Sequence, residues 1–124
     1  MVDVKWLTML LAVPALAHHS LTAEFDLDRT VTIHGTIARV EWMNPHGWLY
    51  VDVPSEKGSE RWAFELGAPN ELVRRGWSRT DLKVGDEIKI EGILAKKLAR
   101  TANARSITLA DGKQIFNDRA VDSK

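Results

Sequence analysis

The side chains best suited to proton or metal chemistry near neutral pH are four histidines, His18, His19, His34 and His46. Cleavage after Ala15-Leu16-Ala17 would free the α-amine of His18. A terminal amine and Nδ1 of the same histidine close a chelate ring. A further imidazole makes this a nitrogen donor set suited to Cu(II), and less selectively to Ni(II) or Zn(II). His46 is the candidate for that imidazole, so His18, His19 and His46 form a candidate copper site. The competing reading is a His-His-Ser start that merely suits the peptidase, with His46 hydrogen-bonded in a turn. His34 falls mid-strand between Thr32 and Thr36 and reads as a solvated strand residue.

His46 also belongs to the stretch that most resembles a presentation device, Val40-Glu41-Trp42-Met43-Asn44-Pro45-His46-Gly47-Trp48-Leu49-Tyr50. A β-pattern stops, turns through Asn-Pro-His-Gly and restarts, with a tryptophan on either side. Pro45 sets its own φ and biases Asn44 towards extended backbone, and Gly47 permits the reversal. Trp42, Asn44, His46, Trp48 and Tyr50 are therefore candidate contacts for a small ligand or a partner protein. Trp48 and Tyr50 share one face of a strand and could offer a stacking platform. The competing role for Trp48 is packing, over an open end of the fold or under its helix, as large aromatics mostly do.

Other reactive constellations are missing. The serines at Ser20, Ser55, Ser59, Ser78 and Ser106 lack a Gly-x-Ser-x-Gly setting, and the chain has no cysteine. Asp52 and Glu65 fall on outward strand positions, where solvation or pairing with Arg61 is expected rather than acid–base work. Lys96, Lys97, Arg100 and Arg105 cluster near one loop, and on a neutral protein such a cluster reads as solvated surface. A non-enzymatic role is the expectation.

The elements that must position these residues are those of one modest domain. The chain has 124 residues, 44% hydrophobic and 27% charged, which is ordinary globular composition. Lys plus Arg and Asp plus Glu are 17 each, so the formal net charge is zero and a nucleic-acid partner is disfavoured. Lys5, the apolar run Trp6 to Leu16 and Ala15-Leu16-Ala17 make residues 1–17 a Sec-type signal peptide cleaved after Ala17, implying a periplasmic or secreted protein. A retained anchor helix is the alternative; the run is short of the roughly 20 residues that span a bilayer, and no later segment approaches that length. Residues 18–29 lack periodicity and read as an extended arm, 30–117 as the domain and 118–124 as a disordered tail. Without cysteine the fold rests on its core alone.

Within the domain, Val31, Ile33 and Ile37 alternate with polar residues before Val40 and Trp42 take over the other parity. A first strand that switches its buried face needs a bulge, at Gly35 or near Ala38-Arg39. Strands are expected at Trp48–Val53 and Arg61–Leu66, and a short helix after Pro69 uses Leu72 and Val73 as its apolar face and Gly76 as its cap. Ser78-Arg79-Thr80-Asp81 resembles a capping box. A fourth strand carries Ile88, Ile90 and Leu94 inward, a polar loop covers 96–103, and a fifth strand starts at Arg105, turns at Asp111-Gly112 and continues through Ile115. A bent first strand and one short helix between strands 3 and 4 point to a mainly β, five-stranded OB-like barrel. An antiparallel sandwich is the competing arrangement.

Several motifs taken together resemble domain-of-unknown-function family 6152, small bacterial proteins made with signal peptides. They are Ala17-His18-His19-Ser20, Trp42-Met43-Asn44-Pro45-His46-Gly47-Trp48, Trp62-Ala63-Phe64-Glu65-Leu66-Gly67-Ala68-Pro69-Asn70, Arg74-Arg75-Gly76-Trp77, Gly85-Asp86 and Thr101-Ala102-Asn103-Ala104-Arg105-Ser106. The resemblance spans essentially the whole mature chain, with Leu21 where an aromatic is usual. It implies an exported, single-domain β-protein and brings no activity and no site residues. The resulting expectation is a periplasmic, non-enzymatic module that binds a small ligand or partner protein, with copper binding or delivery through His18 as the alternative.

Overall fold

A computed structural model describes residues 21–116. The expected signal peptide, His18 and His19, and the tail at 118–124 lie outside the described residues. The elements in chain order are α1 (Leu21–Glu24), β1 (Phe25–Glu41), β2 (Trp48–Ser55), β3 (Gly58–Glu65), α2 (Pro69–Arg74), β4 (Glu87–Ala95), β5 (Thr101–Leu109) and β6 (Gln114–Phe116). They form a mainly β structure in one sheet, ordered β3-β2-β1-β4-β5-β6, which an added β3–β5 pairing bends into a ring. Every pairing is antiparallel except β3–β5, which is parallel through Ala63↔Thr101, Phe64↔Ala102 and Glu65↔Asn103.

Alternation along the strands fills the ring. Ile33, Ile37, Leu49, Val51, Phe64, Ile88, Ile90, Ala102, Ala104 and Ile107 are buried in one cluster. The expected change of parity in β1 is present as a register shift between Ile37 and Arg39. Gly35 lets β1 press against β2, because a Cβ there would lie 2.6 Å from both Asp52 O and Val51 Cγ1. After α2 the chain turns at Gly76 (φ 98°), and Trp77 N donates to Leu72 O at 2.9 Å. Ser78 N donates to Asp81 Oδ2 at 2.9 Å, the reciprocal half of a capping box, and Leu82 tucks into the core.

Five features depart from the sequence reading. First, β1 begins at Phe25, not Thr30, so the described part of the expected arm at 18–29 is a four-residue helix and the start of β1. Its periodicity is hidden because the β1–β4 register shifts between Phe25 and Thr30, leaving Leu27 half exposed. Second, the described residues form six strands and two short helices, since the return after Asp111-Gly112 is a separate strand, β6. Third, β5 starts at Thr101, shortening the expected loop at 96–103. Fourth, Ile93 rather than Leu94 is the buried residue late in β4, where it packs with Phe25, Ala95 and Leu21. The alternation of β4 is unbroken, because the register shift at Glu91/Gly92 leaves its extra residue, Arg105, on β5; Ile93 is on the outward face and is buried there because Phe25 and Leu21 cover it in a second cluster. Fifth, Val73 is 57% exposed, so α2 buries Leu72 alone.

Candidate functional site

The turn between β1 and β2 is fixed by backbone contacts to the end of β3. Gly47 N donates to Gly67 O at 3.1 Å, and Leu66 N donates to Gly47 O at 2.8 Å. A Cβ on Gly47 would stand 3.1 Å from Glu41 O, so glycine suits this crossing. The peptide joining Asn44 to Pro45 is cis. Met43, Asn44 and Pro45 are exposed at the tip and His46 is half buried. Trp42 packs its half-buried indole on the core, and its Nε1 is buried without an acceptor.

Registered partners share a face of a sheet. Leu49, Phe64 and Ala102 point inward, so their neighbours Trp48, Glu65 and Asn103 point outward. Ile93 pairs with Asn103 on the far side, so Trp48, Glu65, Asn103 and Ile93 form a row around the outside of the ring. Glu65 is outward as expected yet only 9% exposed, not solvated. Its Oε1 accepts from Asn103 Nδ2 at 3.0 Å, and its Oε2 lies 3.8 Å from His46 Nε2. That second separation is an ion-pair distance, longer than a hydrogen bond. The structure thus joins His46 to two residues outside the expected set, Glu65 and Asn103. Their legible signal was membership of two of the quoted motifs; the parallel pairing that joins them had none.

Trp48 and Tyr50 do stand on one outward face, both half exposed. Tyr50 is already engaged: the Arg39 guanidinium lies over its ring, 6.0 Å from the centroid. Burial, then the Glu41 charge, pushes its phenol above the ordinary range, against the opposing pull of Arg39. Arg39 Nη2 also pairs with Glu41 Oε2 at 2.6 Å. Trp48 is the less committed half of the expected platform. Further along, Arg61 forms a two-pronged bond to Asp52 at 2.8 and 3.0 Å and holds that carboxyl below its usual range.

Among the described residues, no group of three or more His, Cys, Asp or Glu side chains stands ready to hold a metal. Of the expected copper ligands only His46 is described. His34 is exposed and lines an open groove of about 540 Å³ with Thr36, Glu87, Lys89 and Thr108, away from the corner. No helix among the described residues is long and apolar enough to cross a membrane.

No curated protein and no solved structure matches the chain. A family model does match, over residues 7–104, and covers both the His46 corner and the Glu65–Asn103 pair. The chain belongs to the family of unknown function DUF6152.

Proposed function

We propose that this protein is an exported, non-enzymatic binding module built on an OB-type barrel, with residues 1–17 acting as the export signal. The ring order and the parallel β3–β5 pairing, with α2 between β3 and β4, support the barrel. The corner of Trp42, Asn44, His46 and Trp48, flanked by Tyr50, is its recognition surface for a small ligand or a partner protein. The observation that carries this reading is the His46–Glu65 pair beside Trp48: a nearly buried carboxylate on the outside of the ring, aimed at an imidazole that the backbone holds in place. Burying a carboxylate is costly unless it is paired, and a packed interior would gain nothing by it there. The orphan Trp42 Nε1 adds a donor that a bound acceptor would satisfy. Affinity capture from periplasmic extract, with wild type compared with His46→Ala and Trp48→Ala, tests it. Loss of a captured species from folded variants supports the site, and unchanged capture overturns it.

A second reading is copper binding or delivery through the freed amine of His18 with His19 and His46. What favours it is the position of Leu21, which packs with Phe25, Ile93 and Ala95. Ile93 is registered with Asn103, and Asn103 with Glu65. The described chain therefore starts beside the row that contains Glu65, the partner of His46, and His19 precedes Leu21 by two residues. Cu(II) titration of the mature protein, its N-terminus verified by mass spectrometry, is compared with a form carrying one extra residue before His18. Tight stoichiometric binding by the processed form alone supports this reading; equal weak binding by both removes it.

A further inference from the structure

We propose that the β4–β5 loop, residues 96–100, docks this protein on a bilayer surface rich in anionic lipid: Leu98 enters the boundary between headgroups and acyl chains, while Lys96, Lys97 and Arg100 face the headgroup phosphates. The proposal is independent of the His46 corner and of the copper reading.

From Gly92 to Ala110 the chain carries Lys96, Lys97, Arg100 and Arg105 and no carboxylate, although cations and anions balance over the whole protein. All the loop residues are exposed, and between Lys97 and Arg100 stands Leu98 with 65% of its surface in water. An apolar tip among basic side chains is what an anionic membrane attracts, because the charges draw it in and the buried apolar area holds it. The loop is braced rather than loose. Lys96 N donates to Glu24 O, Ala63 N to Arg100 O and Thr101 Oγ1 to Ala99 O, each at 2.9 Å. Arg100 itself has φ 46°, in the left-handed region where glycine or asparagine sits with less strain. Among the described residues neither Lys97 nor Arg100 has a side-chain partner that would offset that strain. The fold makes no use of the guanidinium, which leaves it to an external phosphate. A merely solvated loop accounts for the cations, but not for a leucine at the tip or an arginine at the strained position.

The chain has no cysteine, so Leu98→Cys, and Val73→Cys on the exposed side of α2 as control, each accept a single environment-sensitive fluorophore. The labelled mature proteins are titrated at low ionic strength with phosphatidylcholine vesicles, with vesicles that also contain phosphatidylglycerol, and with soluble polyglutamate. Unlabelled wild type, Lys97→Glu, Leu98→Ser and Arg100→Asn are then sedimented with the same vesicles. We expect a blue shift at position 98 alone, with phosphatidylglycerol vesicles alone, reversed by added salt. Partitioning should fall about 5-fold in Arg100→Asn, further in the charge reversal Lys97→Glu, and about 10-fold in Leu98→Ser. Arg100→Asn should keep or raise the Tm, since asparagine suits the left-handed backbone, which separates lost membrane contact from lost structure. Should that variant fail to fold, Lys97→Glu and Leu98→Ser decide. Wild type that stays in solution with phosphatidylglycerol vesicles, or that binds phosphatidylcholine equally well, overturns the proposal. So do equal shifts at positions 98 and 73, or sedimentation that the variants leave unchanged. A shift with polyglutamate but not with vesicles would assign the loop to an acidic polypeptide and overturn it too.

Discussion

Glu65 and Asn103 meet across the one parallel pairing of the ring, with Asn103 Nδ2 donating to Glu65 Oε1 at 3.0 Å. The pairing closes the sheet, and the side-chain contact holds a nearly buried carboxylate beside His46. Removing the amide withdraws a donor from that carboxylate. Asn103→Ala should therefore destabilise the protein by about 1–3 kcal/mol, measured as a shift in the urea midpoint at unchanged slope. Asn103→Asp should be worse at neutral pH, because it sets a second carboxylate against the first. The gap between the two variants should narrow on acidification as one of the two takes up a proton. Equal stability of Asn103→Ala and wild type would mean that the bond contributes nothing to folding.

At Gly35, β1 leaves no room for a side chain against β2. An alanine there would place its Cβ 2.6 Å from Asp52 O and from Val51 Cγ1, and the first of these is backbone that cannot swing aside. Gly35→Ala should cost about 1–3 kcal/mol, readable as a lowered Tm. Gly92→Ala should behave similarly, with Asn103 O only 2.7 Å from the added carbon. A Gly35→Ala protein as stable as wild type would show that the two strands separate easily at this point.

Asp52 gives a pH dependence of known sign. Hydrogen bonding from Arg61 lowers its folded pKa below the unfolded value. Its contribution to stability is therefore present above the unfolded carboxyl range and is lost as pH falls through the folded value. Arg61→Ala should return the Asp52 carboxyl, followed by carbon NMR, to the ordinary range and flatten that part of the acid-side slope. Both partners are well exposed to solvent, so the loss at neutral pH should be small.

The core and the helix surface should respond very differently to truncation. Phe64 is fully buried among residues from β2, β4 and β5, and Phe64→Ala should cost about 3–5 kcal/mol in chemical denaturation. Val73 sits on α2 with more than half its surface exposed, and Val73→Ala should stay within about 0.5 kcal/mol of wild type.

Much of this was legible along the chain. Alternation identified the inward residues of β1, β2 and β3, because a pleated strand turns every second side chain the same way. The parity change after Ile37 required a bulge, and Gly76 marked the helix end, which is made at positive φ. The Asn44-Pro45-His46-Gly47 corner was readable from its residue types alone. Where irregular pairing or a long-range cover decided the outcome, local pattern failed: Phe25 joins β1 through a register shift, and Ile93, on the outward face of β4, is buried because Phe25 and Leu21 pack over it.

The sequence by itself determined the alternation of the main strands, the stiff corner that carries His46 and the family to which the chain belongs, since each is encoded in residues close together in the chain. Only the tertiary structure decided that Glu65, on an outward position that pattern assigns to solvent, is buried against Asn103 and faces His46. Those three residues come from β3, β5 and the β1–β2 turn, and the parallel closure that brings them together is a long-range pairing on which local periodicity carries no information.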